Sequence, residues 1–235
     1  MKNTYQTYLA ETPVETFRAD FIRRGAMCAA ISKRYPQLAA VGAEADATLA
    51  QIDTRRALLQ QAEDDQIRAH AIEDVEKLDV VEVYTELRRT MSAKRYDVLT
   101  LLPDAPSALG SLGAKNFGAR VNQAVANLKA LPDGDPLKVT LLPQLQVELA
   151  EFHQADLAED ATRANLQSGR VALLLYKTEL SQAREGQLGA IQKVLADREK
   201  TAQFTIPWRK PARPAEEPVV GTPGAMTTPP TPKAP

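Results

Sequence analysis

Two histidines, one cysteine and a run of acids are the residues of this chain best equipped to bind or react. His70 stands four residues before Asp74, and His153 three before Asp156, so each pair shares a helix face and supplies half of a metal site. A di-iron carboxylate bundle needs Glu-x-x-His on two helices. Ile67 and Ala150 occupy the required glutamate positions, which excludes that centre. Glu148, Glu151, Asp156, Glu159 and Asp160 form an acidic stretch, in which Asp156 and Asp160 lie one turn apart and can jointly hold a hard cation. Such stretches are most often solvated faces. The expectation is therefore no metal and no cofactor, with His153, Asp156 and Asp160 as the candidates if one is bound.

The remaining reactive groups read as structural. Cys28, the single cysteine, excludes an intrachain disulfide and a cysteine zinc site, and it falls on an apolar helix face as a small core residue. Lys115 lies in a Gly-rich segment, Gly110 to Gly118, that precedes a helix. The segment lacks the spacing and the Gly-Lys-Ser/Thr ending of a phosphate loop and reads as a linker. No serine sits in a G-x-S-x-G context. No catalytic residue is assigned, and the chain is expected not to be an enzyme.

The elements that must position these residues are helices. Aromatics make up only 5% of the chain, while alanine and leucine abound. Thr12-Pro13-Val14-Glu15 has the form of a capping box with proline at the first helical position. Val14, Phe17, Phe21, Cys28, Ile31 and Tyr35 then recur at helical spacing, up to Pro36. Between Gly42 and Pro103 there is neither glycine nor proline. The apolar stripe there fades at residues 60–66 and resumes, shifted, through Ile67, Val75, Leu78 and Leu87. That pattern predicts either a hairpin between about Asp64 and Asp74 or one very long helix with a phase slip. Ser168-Gly169, at the matching place later in the chain, favours the hairpin. After the turn Leu131 to Pro136, in which Gly134 is expected to take positive φ, Leu145, Leu149, Phe152 and Leu157 mark a further helix, and Leu173 to Leu195 the last.

An internal echo organises these elements. Asp20 to Pro36 and Asn116 to Pro132 align at an offset of 96, sharing Phe21/Phe117, Arg24/Arg120, Lys33/Lys129 and Pro36/Pro132. The expected fold is all-α: an elongated antiparallel helical bundle with coiled-coil character and two pseudo-repeated units. Residues 1–102 form the first unit, 103–115 a Gly/Pro connector, 116–204 a second unit packed on the first, and 205–235 a disordered Pro-rich tail.

Function is expected to lie in interaction. The formal net charge is −1, and the basic pairs Arg23-Arg24, Arg55-Arg56, Arg88-Arg89 and Lys94-Arg95 are scattered among acids, which argues against nucleic acid. No apolar run approaches the ~20 residues of a membrane span, so no membrane insertion is expected and the location is read as cytoplasmic. In the tail, Trp208, Arg209, Lys210, Pro211, Arg213 and Pro214 join an aromatic to cations and prolines, the composition of a linear recognition segment. The leading expectation is a structural or adaptor protein that binds a protein partner through its helical surface, its tail or both, and that has the means to form a homo-oligomer. The rival is a ligand- or metal-binding regulatory bundle using the acidic helix 148–160.

Overall fold

The computed structural model describes residues 8–9 and 11–206, and among them every regular element is a helix. The partner-binding segment proposed at Trp208 to Pro214 lies outside the described residues. Two helices dominate. Helix α2, Leu38–Ala93, and helix α6, Pro136–Leu195, are 56 and 60 residues long. At 1.5 Å per residue they span roughly 84 and 90 Å. They run antiparallel and pack on each other along their length. The shorter helix α1, Val14–Ile31, lies against the start of α2 and the end of α6. Helix α5, Ala114–Lys129, lies against the end of α2 and the start of α6. Each end of the molecule is thus three helices thick and the middle only two. Three short helices, α3 (Val98–Leu101), α4 (Pro106–Gly110) and α7 (Arg198–Ala202), close the connections.

The hairpin expected near Asp64 is absent, because α2 continues unbroken through that region. Gly169 makes no turn either. It sits inside α6, where an added Cβ would lie 3.4 Å from Leu59 Cδ1, so its role is close helix approach. No phase slip is needed. Leu38, Ala45, Ile52, Leu59, Gln66, Glu73, Val80 and Leu87 recur every seventh residue and face α6. Leu145, Phe152, Glu159, Leu166, Leu173, Leu180 and Gln187 do the same on α6. A strict seven-residue repeat is the spacing of a left-handed coiled-coil seam. Part of the expected stripe points to water: Ile67, Val75, Leu78 and Leu157 are all more than half exposed, whereas Leu87 is buried and Gln66, Glu73 and Glu159 hold places in the seam.

The helix ends differ from the sequence expectation in a consistent way. Thr12 does not cap α1; its Oγ1 accepts a hydrogen bond from the Leu9 N–H instead. Helix α6 begins well before Leu145, with Asp135 accepting from the Leu137 N–H and Pro136 at the first position. Pro143 is tolerated within it on an exposed side. Gly134 takes no positive φ; among the described residues the left-handed positions are Arg95 and Ala196, one just past the end of each long helix. In both places an aspartate follows two residues or one residue later, Asp97 and Asp197, and caps the next short helix.

Apolar burial is concentrated at the two ends. At one, Val80, Tyr84, Leu87 and Met91 of α2 pack with Phe117, Val121 and Leu128 of α5 and with Leu145 and Phe152 of α6. At the other, Phe17 and Phe21 of α1 pack with Ala45, Ile52, Tyr176 and Leu180, and Cys28 packs with Leu38, Leu188 and Ile191. The echoed segments lie on α1 and α5, each a short helix that precedes a long one.

Candidate functional site

The long helices bring together residues from three parts of the chain in a cleft at the open side of the molecule's middle. Helix α2 supplies His70, Glu73, Asp74 and Lys77. Helix α6 supplies His153, Asp156, Asp160 and Arg163, and the start of α5 closes one side with Gly113, Lys115 and Asn122. All three metal candidates read from the sequence therefore reach one place, and so does Lys115. The two helical half-sites, His70 with Asp74 and His153 with Asp156, face each other across it.

The candidates are not equally free. The His153 ring approaches Asn122 Nδ2 at 3.4 Å and lies against Phe152. Helix α5 passes so near that a Cβ on Gly118 would come within 2.8 Å of His153 Cε1, which explains a glycine there. Asp160 accepts from Arg163 Nη1 at 2.8 Å and is exposed. Asp156 is half-buried.

Two further residues lie beside these: Glu73, which the sequence did not single out and which lines the cleft, and Glu159, named there only as part of the acidic stretch. Glu73 and Glu159 are seam residues, 7% and 2% exposed. Glu159 has partners: Gln66 Nε2 donates to one oxygen at 3.3 Å and Arg163 Nη2 to the other. Among the described residues Glu73 accepts no hydrogen bond, and His70 Nδ1 lies 3.6 Å from its Oε2. Burial, followed by the charges of Asp156 and Glu159, holds the Glu73 carboxyl above the usual glutamate range. One oxygen each from Glu73 and Glu159 and one nitrogen of His70 lie within 4.8 Å of one another. The signal for these glutamates was the seven-residue repeat itself, which passes through positions 66, 73 and 159.

A second acid group, Glu76, Glu148 and Glu151, lies on the opposite side of the hairpin. Burial, then Glu151, Asp79 and Glu76, pushes the Glu148 carboxyl up. Cys28 is buried, and desolvation pushes its thiol up.

Comparison with protein-family models, with curated proteins and with solved structures returned no match for this chain.

Proposed function

We propose that this chain is a non-enzymatic structural or adaptor protein whose long hairpin presents its thin middle to a protein partner. The observation that carries this reading is that three helices cover each end and two the centre, leaving large apolar side chains uncovered there. Leu58, Ile72, Leu157 and Leu174 are each more than half exposed. On the side away from α1 and α5, a shallow groove runs between α2 and α6, lined by Leu58, Leu59, Ala62, Gly169, Ala172 and Leu173. Small residues on both walls admit a third helix at close range. Glu76 lies two heptads beyond Ala62 on α2, and Glu148 three heptads before Gly169 on α6, so the acids continue the groove's line. Among the described residues neither Glu76 nor Glu148 has an ion-pair partner, and the occupant they fit is an amphipathic helix with lysine or arginine at one end. The tail segment from Trp208 to Pro214 supplies a second, separable recognition element in this reading. Among the described residues no helix is long and apolar enough to cross a membrane, which is compatible with the cytoplasmic placement we propose.

The test is capture on the full chain, identification of the bound protein, and reconstitution of the pair from purified components. Leu58→Glu and Ala172→Glu should each weaken the reconstituted pair at least tenfold, and raised salt should weaken it further. Removal of residues 207–235 should leave that groove-dependent binding in place. A pair indifferent to both groove substitutions, or no partner at all, would reject the body as the docking surface.

A further inference from the structure

Near its centre the seam between α2 and α6 carries Gln66, Glu73 and Glu159 beside Leu59 and Leu166. Two glutamates that face each other between packed helices repel, and each is less well hydrated there than on an open surface. Glu159 is offset by Arg163 and Gln66. Glu73 is not offset. Its side chain is nine-tenths buried, it accepts no hydrogen bond, and it opens into the cleft beside His70. The 3.6 Å to His70 Nδ1 exceeds hydrogen-bond range. An acid in this position calls for a cation at the point where Glu73, Glu159 and His70 converge.

We propose that Glu73, Glu159 and His70 bind one divalent transition-metal ion, of the zinc or manganese class, that clips α2 to α6 at the centre of the hairpin. The donor set decides the class: one imidazole nitrogen with two carboxylates suits zinc, manganese or iron, whereas magnesium and calcium take oxygen alone. The reach is adequate. Ligand atoms around such an ion stand roughly 3–3.5 Å apart at bond lengths of about 2.0–2.2 Å, and the three atoms are already within 4.8 Å of one another. Side-chain rotation closes the difference without moving either helix. An ion at the site takes the place of Arg163 Nη2 on Glu159, and Arg163, whose side chain is 62% exposed, keeps its existing bond to Asp160. Asp74 and Asp156 at the cleft mouth add to the attraction. The other acid group, Glu76 with Glu148 and Glu151, has no nitrogen donor and serves as the internal control. The inference is independent of the partner reading above and revises the sequence expectation that no metal is bound.

The test uses the metal-free full chain without an affinity tag, titrated calorimetrically with Zn²⁺, Mn²⁺ and Mg²⁺, with Co²⁺ absorption as a spectroscopic check. The wild type should take one zinc or manganese ion per chain and melt higher with it, with magnesium much weaker. Glu73→Gln, Glu159→Gln and His70→Asn should each weaken binding at least tenfold, and Glu148→Gln should not. Glu73→Gln removes one of two carboxylate charges that face each other across the seam, so the metal-free variant should melt above the metal-free wild type, which rules out misfolding as the cause of lost binding. Absence of zinc and manganese binding at millimolar concentration overturns the proposal. So does a Glu73→Gln variant that binds like wild type, or a loss confined to Glu148→Gln. A wild type that gains stability from acid but not from any metal would show that a shared proton fills the site instead.

Discussion

At the scale of single residues, the strongest constraint lies at the α1 end, away from the cleft. Asp20, Arg24 and Arg184 are all fully buried, so one carboxylate serves two guanidiniums. Asp20 accepts from Arg24 and, at 3.0 Å, from Arg184 Nε, and its other oxygen accepts from the Ile206 N–H at 3.0 Å. Arg24 also donates to Gln187 Oε1 at 2.9 Å, but its Nε has no partner. The excess cation is spread over aromatic faces: Arg184 lies 4.0 Å above the Tyr8 ring centre and Arg24 4.9 Å from that of Phe21. The knot ties α1, α6 and the end of the described chain together. Removing its only acid strands two buried cations, so Asp20→Asn should cost about 3–5 kcal/mol of unfolding free energy. Arg24→Met removes the surplus charge along with the orphan Nε and should cost less than half as much. Urea unfolding of the two variants checks this, and equal losses would show that packing rather than charge dominates. The echo holds no second knot: Asn116 replaces Asp20, and Arg120, the counterpart of Arg24, is exposed.

At the scale of elements, the ends of the long helices show where the sequence could be read and where it could not. Ala196 closes α6 at φ 51°, a conformation in which a Cβ crowds the neighbouring carbonyl. Ala196→Gly should therefore raise stability by about 1 kcal/mol, seen as a higher denaturant midpoint with an unchanged slope. Next to it, Asp197 caps α7 by accepting from the Glu199 and Lys200 N–H groups. The bond from the Lys200 backbone leads the effects that hold its carboxyl below the usual range. An acid with a depressed folded pKa stabilises fully above the unfolded value of about 3.9, and that contribution is lost as pH falls through the folded one. The stability gap between wild type and Asp197→Ala should accordingly stay constant from pH 8 to 5 and close below about pH 4. A gap that widened in acid would contradict the cap. Such aspartates were open to reading in the sequence but were missed, because the glycine-based stop signals drew attention to Gly134 and Gly169. The helical class, the presence of both short core helices and the burial of Cys28 were legible, since they follow from composition and from Phe17, Phe21 and Phe117 at helical spacing. The length of α2 was not. Its seam runs through Gln66 and Glu73 while Ile67, Val75 and Leu78 point to water, so hydrophobicity found the buried face at Ile52 and Leu87 but lost it between them. For the same reason the acidic run on α6 drew notice to Asp156 and Asp160 and away from buried Glu159.

At the scale of the molecule, the same polar seam divides one continuous hairpin into two apolar cores. Three-helix packing at each end buries aromatic and leucine side chains completely, among them Phe17, Phe21, Phe117 and Phe152. Between the ends the helices meet through Leu59, Gln66 and Glu73 of α2 and Glu159 and Leu166 of α6, with two helices rather than three around the seam. Local opening follows low buried apolar contact, so the centre should open without either end unfolding. Hydrogen exchange on the metal-free protein tests this amide by amide. Amides of residues 62–72 and 159–169 should exchange through a sub-global opening, faster than those of 80–91, 117–128 and 180–191, which should exchange only with global unfolding. Replacing Glu73 and Glu159 together by leucine would make the seam continuous, and protection at the centre should then rise to that of the ends. A bound zinc ion should act in the same direction in the wild type and have no effect in the double variant. Uniform protection along both long helices of the metal-free wild type would mean that the cores are coupled through the backbone alone. The central glutamates would then be a local cost carried by a rigid rod, with no part in its mechanics.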